Sequence, residues 1–422
     1  MSEPNTGDQV ERPDPLRTVL DAAVLLQNNG QSTSTTLLAV DRLNSGLGVH
    51  GVLIPSWAAL ILDGTQDRSP ALVAAVTPTG INMRRVSAAM RTIDRAEDGP
   101  LDLAEVRTGI AAAAILPPAH PAAFAMACAT GAGALAVIFG AADARAVALA
   151  AASAAVGGMI RRALGRYGVG VLVQAFAAAM VAGIVGAVAV RLHLDASAGV
   201  VAVCPAMVLV PGPHILNGAL DLISLRISLG LARLGYAAMV LTAIATGLIF
   251  GLHICGQGLP VTGSVAAAAL PVDVIAAAVA AASYSVYFSM PYRMMVWPVL
   301  AGMLAHGVHW WALSVAGTGV AAAALIACLL VGITLVPLSH FLRMPFAAIG
   351  FAAVVALVPG MYVFRTLSGI LQLQANASTE LLAATASDSA VAVSVTAAMA
   401  VGLVLPIWVR DILVRRADHR QQ

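Results

Sequence analysis

The sequence predicts an α-helical polytopic membrane protein, with ten transmembrane helices arranged as two inverted five-helix repeats and preceded by a small cytosolic α+β domain. Three observations carry that expectation. Of 422 residues, 59% are hydrophobic and only 10% charged, and the mean hydropathy of +0.88 lies outside the range of soluble domains. Ten apolar runs of spanning or near-spanning length follow residue 118. A Val-Pro-Gly triplet interrupts one run at 210–212 and another at 358–360, and the two are 148 residues apart.

Charge separates the domains. Residues 1–118 hold 13 Asp or Glu against 9 Arg, while the remainder holds 8 acids and 14 Arg, so a mildly acidic soluble segment precedes the membrane part. Residues 1–13 read as a disordered lead with neither a basic n-region nor an apolar core, so no cleaved signal peptide is expected. Residues 14–118 form the α+β domain. An apolar helical rhythm runs from Leu16 to Asn29 and ends at Gly30, and a second helix spans Ser34 to Leu43. Runs at 49–54, 57–62 and 71–76 read as three short strands between turn signals. Helices over Met83–Arg95 and Leu103–Ala114 close the domain, the latter with Asp102 as N-cap. Arg84, Arg85, Arg91 and Arg95 share overlapping helical faces, either as a solvated surface or as a place for an anion or lipid headgroups. His50 and the scattered acids have no catalytic spacing. Pro117-Pro118 marks entry to the bilayer.

The apolar segments run over 122–140, 143–160, 168–190, 198–216 and 232–254, then 268–287, 293–313, 316–338, 345–364 and 385–409. They divide into a first membrane repeat, 119–260, and a second, 261–409, with a basic tail at 410–422. With the N-terminal domain inside, the inner loops and tail carry eleven arginines: Arg161, Arg162, Arg166, Arg226, Arg233, Arg293, Arg343, Arg410, Arg415, Arg416 and Arg420. The outer loops carry Arg145, Arg191 and Arg365, and this bias predicts that both termini are cytoplasmic; the membrane expected is the cytoplasmic (inner) one. The four cysteines lie in apolar runs without metal or disulfide spacing and read as inert small hydrophobes.

Shifting the first five segments by 148 residues places each on one of the second five. Because five is odd, the second half must enter the membrane upside down, the arrangement of secondary transporters whose sites lie where paired helices are broken. Proline removes a backbone donor and glycine permits an unwound turn, so Val-Pro-Gly frees polar groups that must line a cavity. A helix restarting there would aim bare N–H groups and a positive dipole end at a carboxylate.

Pro211 and Gly212 form the first break, with Pro213 at the first helical position, and His214, Asn217 and Asp221 follow on one face. Pro359 and Gly360 form the second, followed by Tyr362 and Arg365 at the positions matching His214 and Asn217. The predicted arrangement holds a zwitterion: backbone N–H groups and Arg365 on its carboxylate, Asn217 or Asp221 on its ammonium, and His214 or Asp221 carrying a coupling proton. Asp273 and Asp388 are expected to be solvated at outer helix ends. His306 and His309, beside Trp310 and Trp311, are expected in an outer interfacial belt with no carboxylate nearby. Gly157-Gly158, Gly183 and Gly186 are predicted helix-contact positions. The Asn376-Ala377-Ser378 sequon fits an outer loop.

Other classes fare worse. A channel needs a continuous polar pore, whereas these helices are mostly Ala, Val, Leu and Gly; an intramembrane enzyme needs a positioned nucleophile, base or metal pair. A membrane sensor with residues 1–118 as its output remains an alternative. No cofactor, metal or nucleic-acid partner is predicted; the partners expected are a small-molecule substrate, protons and the lipid bilayer.

At the level of motifs, GQSTSTT (30–36), LGV (47–49), GINMRRV (80–86), PLDLAEV (100–106) and above all VCPAMVLVPGPHILNGALDLISLRISLGLARLG (203–235) resemble the threonine/serine exporter family. The order of domain, five-helix half and second half, with Val-Pro-Gly in both fourth helices, resembles it too. The resemblance implies export of threonine and serine driven by the proton gradient or membrane potential. Related two-part systems that export dicarboxylates such as succinate supply the alternative substrate class. The second break here has no acid after it, which sets it apart from the first.

Overall fold

The computed structural model describes residues 14–64, 70–258, 268–341, 346–375 and 377–421. The N-terminal lead, Arg343 and Asn376 lie outside them, as do the side chains beyond Arg410. The chain divides into two units, 1–80 with 84–116 and 81–83 with 117–422, so the boundary falls at the Pro117-Pro118 signal.

In the first unit, α1 (Pro15–Asn28) starts where Asp14 accepts a hydrogen bond from the Leu16 N–H at 2.9 Å, with proline at the first helical position. Helix α2 (Thr33–Leu47) is capped by Ser32 and ends at Gly48, whose φ of 67° is the left-handed conformation a helix stop requires. Strands β1 (Gly51–Pro55), β2 (Ala59–Gly64) and β3 (Leu72–Ala75) make an antiparallel sheet in that order. The second strand starts two residues later than the apolar pattern implies, because the Ser56 N–H bonds the Ala59 carbonyl at 2.9 Å and draws Trp57 and Ala58 into the turn. Leu60 and Leu62 of β2 join Leu20, Leu26, Leu43 and Ile93 in the core. Helix α3 (Met83–Ile93) runs into a 3-10 turn (Asp94–Glu97), where Arg42 of α2 pairs with the buried Asp94 and, at 2.6 Å, with Glu97. Helix α4 (Leu103–Ala114) carries the predicted Asp102 cap, bonded to the Glu105 N–H at 3.0 Å. Of the four arginines grouped from sequence, Arg85 of α3 donates to the Leu116 carbonyl at 2.9 Å and Arg95 of the 3-10 turn pairs with Glu105.

The second unit is helical throughout its described residues: α5 (Pro121–Ile138), α6 (Ala144–Arg166), α7 (Val171–Arg191), α8 (Asp195–Met207), α9 (Gly212–Ile223), α10 (Ile227–Ile254), α11 (Leu270–Tyr287), α12 (Val296–Ser314), α13 (Val320–Phe341), α14 (Phe346–Val354), α15 (Gly360–Ala375) and α16 (Thr379–Gln421). Among the described residues seven helices are long and apolar enough to cross a membrane, and two bent pairs, α8 with α9 and α14 with α15, raise the spans to nine. Segment 293–313 is α12, a 19-residue helix made less apolar by its two histidines. Helix α16 continues through the basic tail to Gln421.

Packing repeats between the halves. In the first, α5 packs on α6, α6 on α7, both α6 and α7 on α8, α7 on α10, and α9 on α10. In the second, α11 packs on α12, α12 on α13, both α12 and α13 on α14, α13 on α16, and α15 on α16. Helices α5 and α11, the first of each half, pack on one another. Small residues permit the closest approaches: a Cβ on Gly158 would lie 2.7 Å from the Cys128 sulfur, and one on Gly183 would meet the Leu248 carbonyl. The equivalent seam of the second half is Gly402 of α16 against Leu325 and Leu329 of α13.

Candidate functional site: two crossed helix breaks

Both Val-Pro-Gly triplets fold into the same turn. At the first, Pro211 has φ −81° and ψ 56°, and the Gly212 N–H bonds the Val210 carbonyl at 2.9 Å, an inverse γ-turn. At the second, the Gly360 N–H bonds the Val358 carbonyl at 2.8 Å. Proline suits the central position because its ring holds φ near the required value and it has no N–H to lose. The turns bend the chain by 63° and 57°.

The bare helix start expected at the first break is absent. The Gly212 N–H is used in the turn, Pro213 has none, and those of His214 and Ile215 both reach the Pro211 carbonyl, at 3.0 and 3.3 Å. Proline and the γ-turn together close that N-terminus. At the second break Met361 stands where the first has Pro213, and the N–H groups of Met361 and Tyr362 make no hydrogen bond among the described residues.

The breaks cross. Gly212 abuts the Phe351 ring of α14, and Gly360 abuts Met207 of α8, whose Cγ would lie 2.6 Å from a Cβ placed there. Each broken pair thus packs its restart against the other pair's first segment. Between them lies a cavity of about 110 Å³ whose wall includes Val210, Gly212, Pro359 and Gly360, closed by Leu241 of α10 and Thr396 of α16. Apart from the Thr396 hydroxyl and the backbone, that wall is apolar. Tyr284 of α11, fully buried, donates its hydroxyl at 3.0 Å to the Met207 carbonyl at the end of α8, which also accepts the Val210 N–H at 3.2 Å. Tyr284→Phe is expected to cost about 0.5–1.5 kcal/mol, the net worth of one hydrogen bond, because the carbonyl keeps the Val210 N–H, a slightly lowered thermal midpoint with unchanged expression being the measurement.

The predicted side chains are only partly gathered here. Of the nine, Gly212, Pro359 and Gly360 line the cavity and Pro211 makes its turn. His214, Asn217 and Asp221 are buried on one face of α9, as their spacing predicts, but the face is turned toward α10. The His214 ring lies 4.9 Å from that of Tyr236. Asp221 Oδ2 is 2.9 Å from Arg233 Nε and Oδ1 is 3.3 Å from Arg226 Nη1, with the Asp221 and Arg233 side chains 2% and 1% exposed. Tyr362 is half-buried. Arg365 Nε lies 3.0 Å from Asp388 Oδ2 of α16, so Asp388 is a buried ion-pair partner rather than the solvated acid expected. Asp273 is likewise buried, 2.9 Å from His306 Nδ1, which corrects both its expected solvation and the expectation that no carboxylate neighbours the histidines.

Arg233, counted from sequence among the inner-loop arginines, completes a pattern that emerges only with the packing. Each restarted helix forms an ion pair with the last helix of its own half, and the polarity is swapped: acid on α9 with Arg on α10, then Arg on α15 with acid on α16. Arg233 precedes the cavity residue Leu241 by eight positions, and Asp388 precedes Thr396 by eight. The signal available in sequence was a charge set within or beside an apolar run.

Comparison with known families gives two matches, both described as threonine/serine exporter: ThrE over residues 17–255, more than half of the chain, and ThrE_2 over residues 273–409. The first spans the α+β unit and helices α5–α10, and the second spans α11–α15 and most of α16. No curated protein and no solved structure matches the chain. With an α+β unit, two similarly packed helical halves and a broken helix in each, the chain belongs to the threonine/serine exporter family.

Proposed function

We propose that this exporter-type membrane transporter is a secondary carrier moving threonine and serine out across the cytoplasmic membrane, coupled to the proton gradient or membrane potential. Its α+β domain and both termini are cytosolic, in keeping with the arginine distribution. Helix α12 is the tenth span, since it takes the place in the second half that α6 takes in the first. An odd number of spans per half inverts the second relative to the first, and one half rocks past the other.

The crossing of the two γ-turn breaks around one small cavity is the observation that carries this reading. Each half contributes a restarted helix to the same space, so relative motion of the halves re-forms the site. The apolar wall suits the methyl of threonine, and the Thr396 hydroxyl supplies a polar point for its side chain. The substrate carboxylate is held by the Met361 and Tyr362 N–H groups at the α15 N-terminus and by Arg365, just over one turn beyond the break. Asn217, between one and two turns into α9 and facing α10 in this packing, receives the ammonium when relative motion of the halves re-forms the site. Asp221, about 13 Å along α9 from Gly212, is too far to share one small zwitterion with them and acts with Arg233 in closing the half. A dicarboxylate would bring a second negative charge to a wall that holds no cation among the described residues.

The test is retention of threonine and serine in cells loaded with their dipeptides, with and without the protein. Several-fold faster loss of both amino acids is expected. Loss of succinate in place of threonine and serine would overturn the substrate, and loss of neither would leave the sensor reading in its place.

A further inference from the structure

We propose that the buried Asp273–His306 pair joining α11 to α12 is the site that binds the coupling proton. The inference rests on the exporter reading above and replaces His214 and Asp221 as proton carriers. His306 Nδ1 lies 2.9 Å from Asp273 Oδ2, and the His306 side chain is 2% exposed. Its other ring nitrogen, Nε2, is buried and makes no hydrogen bond among the described residues. With Nδ1–H donating to the carboxylate, Nε2 presents a lone pair in a dry site.

The charge balance makes that lone pair a proton acceptor. A neutral imidazole beside a carboxylate carries one uncompensated negative charge, which burial disfavours. Addition of H⁺ to Nε2 forms one N–H bond, breaks none within the pair, and yields an imidazolium–carboxylate couple of zero net charge. The loaded pair is therefore compatible with the closed packing seen here, and the empty pair favours a state in which α11 and α12 admit water.

Few other titratable groups surround the pair. His309, one turn on along α12, has its ring centroid 6.3 Å from that of His306. Helix α12 packs on α11, α13, α14 and the 3-10 turn Tyr292–Met294. From α11 comes Asp273, with Tyr284 three turns away; α14 has no titratable side chain. The Cys328 side chain of α13 lies against Gly402 of α16, and Tyr292 and Arg293 sit at the opposite end of α12. No three His, Cys, Asp or Glu side chains among the described residues are disposed to hold a metal ion.

The same two helices touch both breaks. Gly302, four residues before His306, packs so closely that an added Cβ would lie 3.0 Å from the Ala353 carbonyl of α14 and 3.2 Å from Ala281 of α11. Asp273 and Tyr284 are eleven residues apart, three turns, on one stripe of α11, and Tyr284 holds the carbonyl at the end of α8. Opening the pair to water shifts α11 and α12 against both. The first half has Ala125 and Gly158 at the positions 148 residues earlier, so the pair has no counterpart there.

The full-length protein in liposomes separates the two claims. The wild type should show both pH-gradient-driven threonine transport and exchange of labelled for unlabelled threonine at equal pH. His306→Gln and Asp273→Asn should lose the gradient-driven component at least tenfold while exchange stays within about twofold of wild type. Retained gradient dependence, or equal loss of both modes, would overturn the proton assignment while leaving the exporter reading intact. Failure of the wild type to exchange threonine would overturn the exporter reading instead. Proton binding is then read independently from tryptophan fluorescence against pH, since Trp310 and Trp311 adjoin the histidines: a titration present in wild type and His309→Gln but absent in His306→Gln supports the site, and its persistence in His306→Gln refutes it.

Discussion

Gly212→Leu is expected to abolish threonine efflux, and Gly212→Ala to lower the thermal midpoint sharply, because a Cβ at this position falls inside the Phe351 ring of the opposing broken pair. Overpacking of a tight core commonly costs about 1–3 kcal/mol, and an aromatic ring wedged between α9 and α11 has little room to yield. Gly360→Ala should be milder, since the obstacle there is the flexible side chain of Met207. The discriminating experiment pairs Gly212→Ala with Phe351→Ala. If the close crossing of α9 and α14 is what matters, the double variant recovers part of the midpoint and of the efflux relative to Gly212→Ala. Gly212→Ala with wild-type stability and transport would mean the crossing is looser than described.

Much of this architecture was legible in the residues. The 148-residue shift between Pro211 and Pro359 located both breaks, because a proline-glycine turn inside an apolar run has few structural alternatives. The caps at Asp14 and Asp102 were legible for a similar reason: each is a local hydrogen bond dictated by a short stretch of chain. The pairing of charges was not. Asp221–Arg233, Arg365–Asp388 and Asp273–His306 join residues 12 to 33 positions apart, and hydropathy marks each only as a charge at the margin of an apolar run. The solvated reading of Asp273 and Asp388 failed because neighbouring helices of the second unit cover both side chains. The closed N-terminus of α9 was likewise missed, although Pro213 announced it: a helix whose second residue lacks an N–H, and whose first is held in a γ-turn, has fewer donors to offer a ligand.

The swapped polarity of the two ion pairs leads to an asymmetry in what their loss should cost. Removing Asp221 leaves Arg233, 1% exposed, with its strongest partner gone, and a guanidinium cannot shed its proton at any pH a protein tolerates. Breaking such a pair costs about 3–5 kcal/mol. Removing Arg365 leaves Asp388, a carboxylate that can take up a proton and become neutral, so the second half escapes most of that penalty. Asp221→Asn should therefore lower the thermal midpoint more than Arg365→Gln at neutral pH, and adding Arg233→Gln to Asp221→Asn should restore stability. Transport should follow a different order. If Arg365 holds the substrate carboxylate, Arg365→Gln loses efflux while remaining folded, whereas Asp221→Asn/Arg233→Gln keeps part of it because that pair closes the half without touching substrate. A greater loss of stability from Arg365→Gln than from Asp221→Asn would show that Asp388 cannot neutralise itself. Full efflux by Arg365→Gln would remove the guanidinium from the binding site and leave the carboxylate to the α15 N-terminus alone.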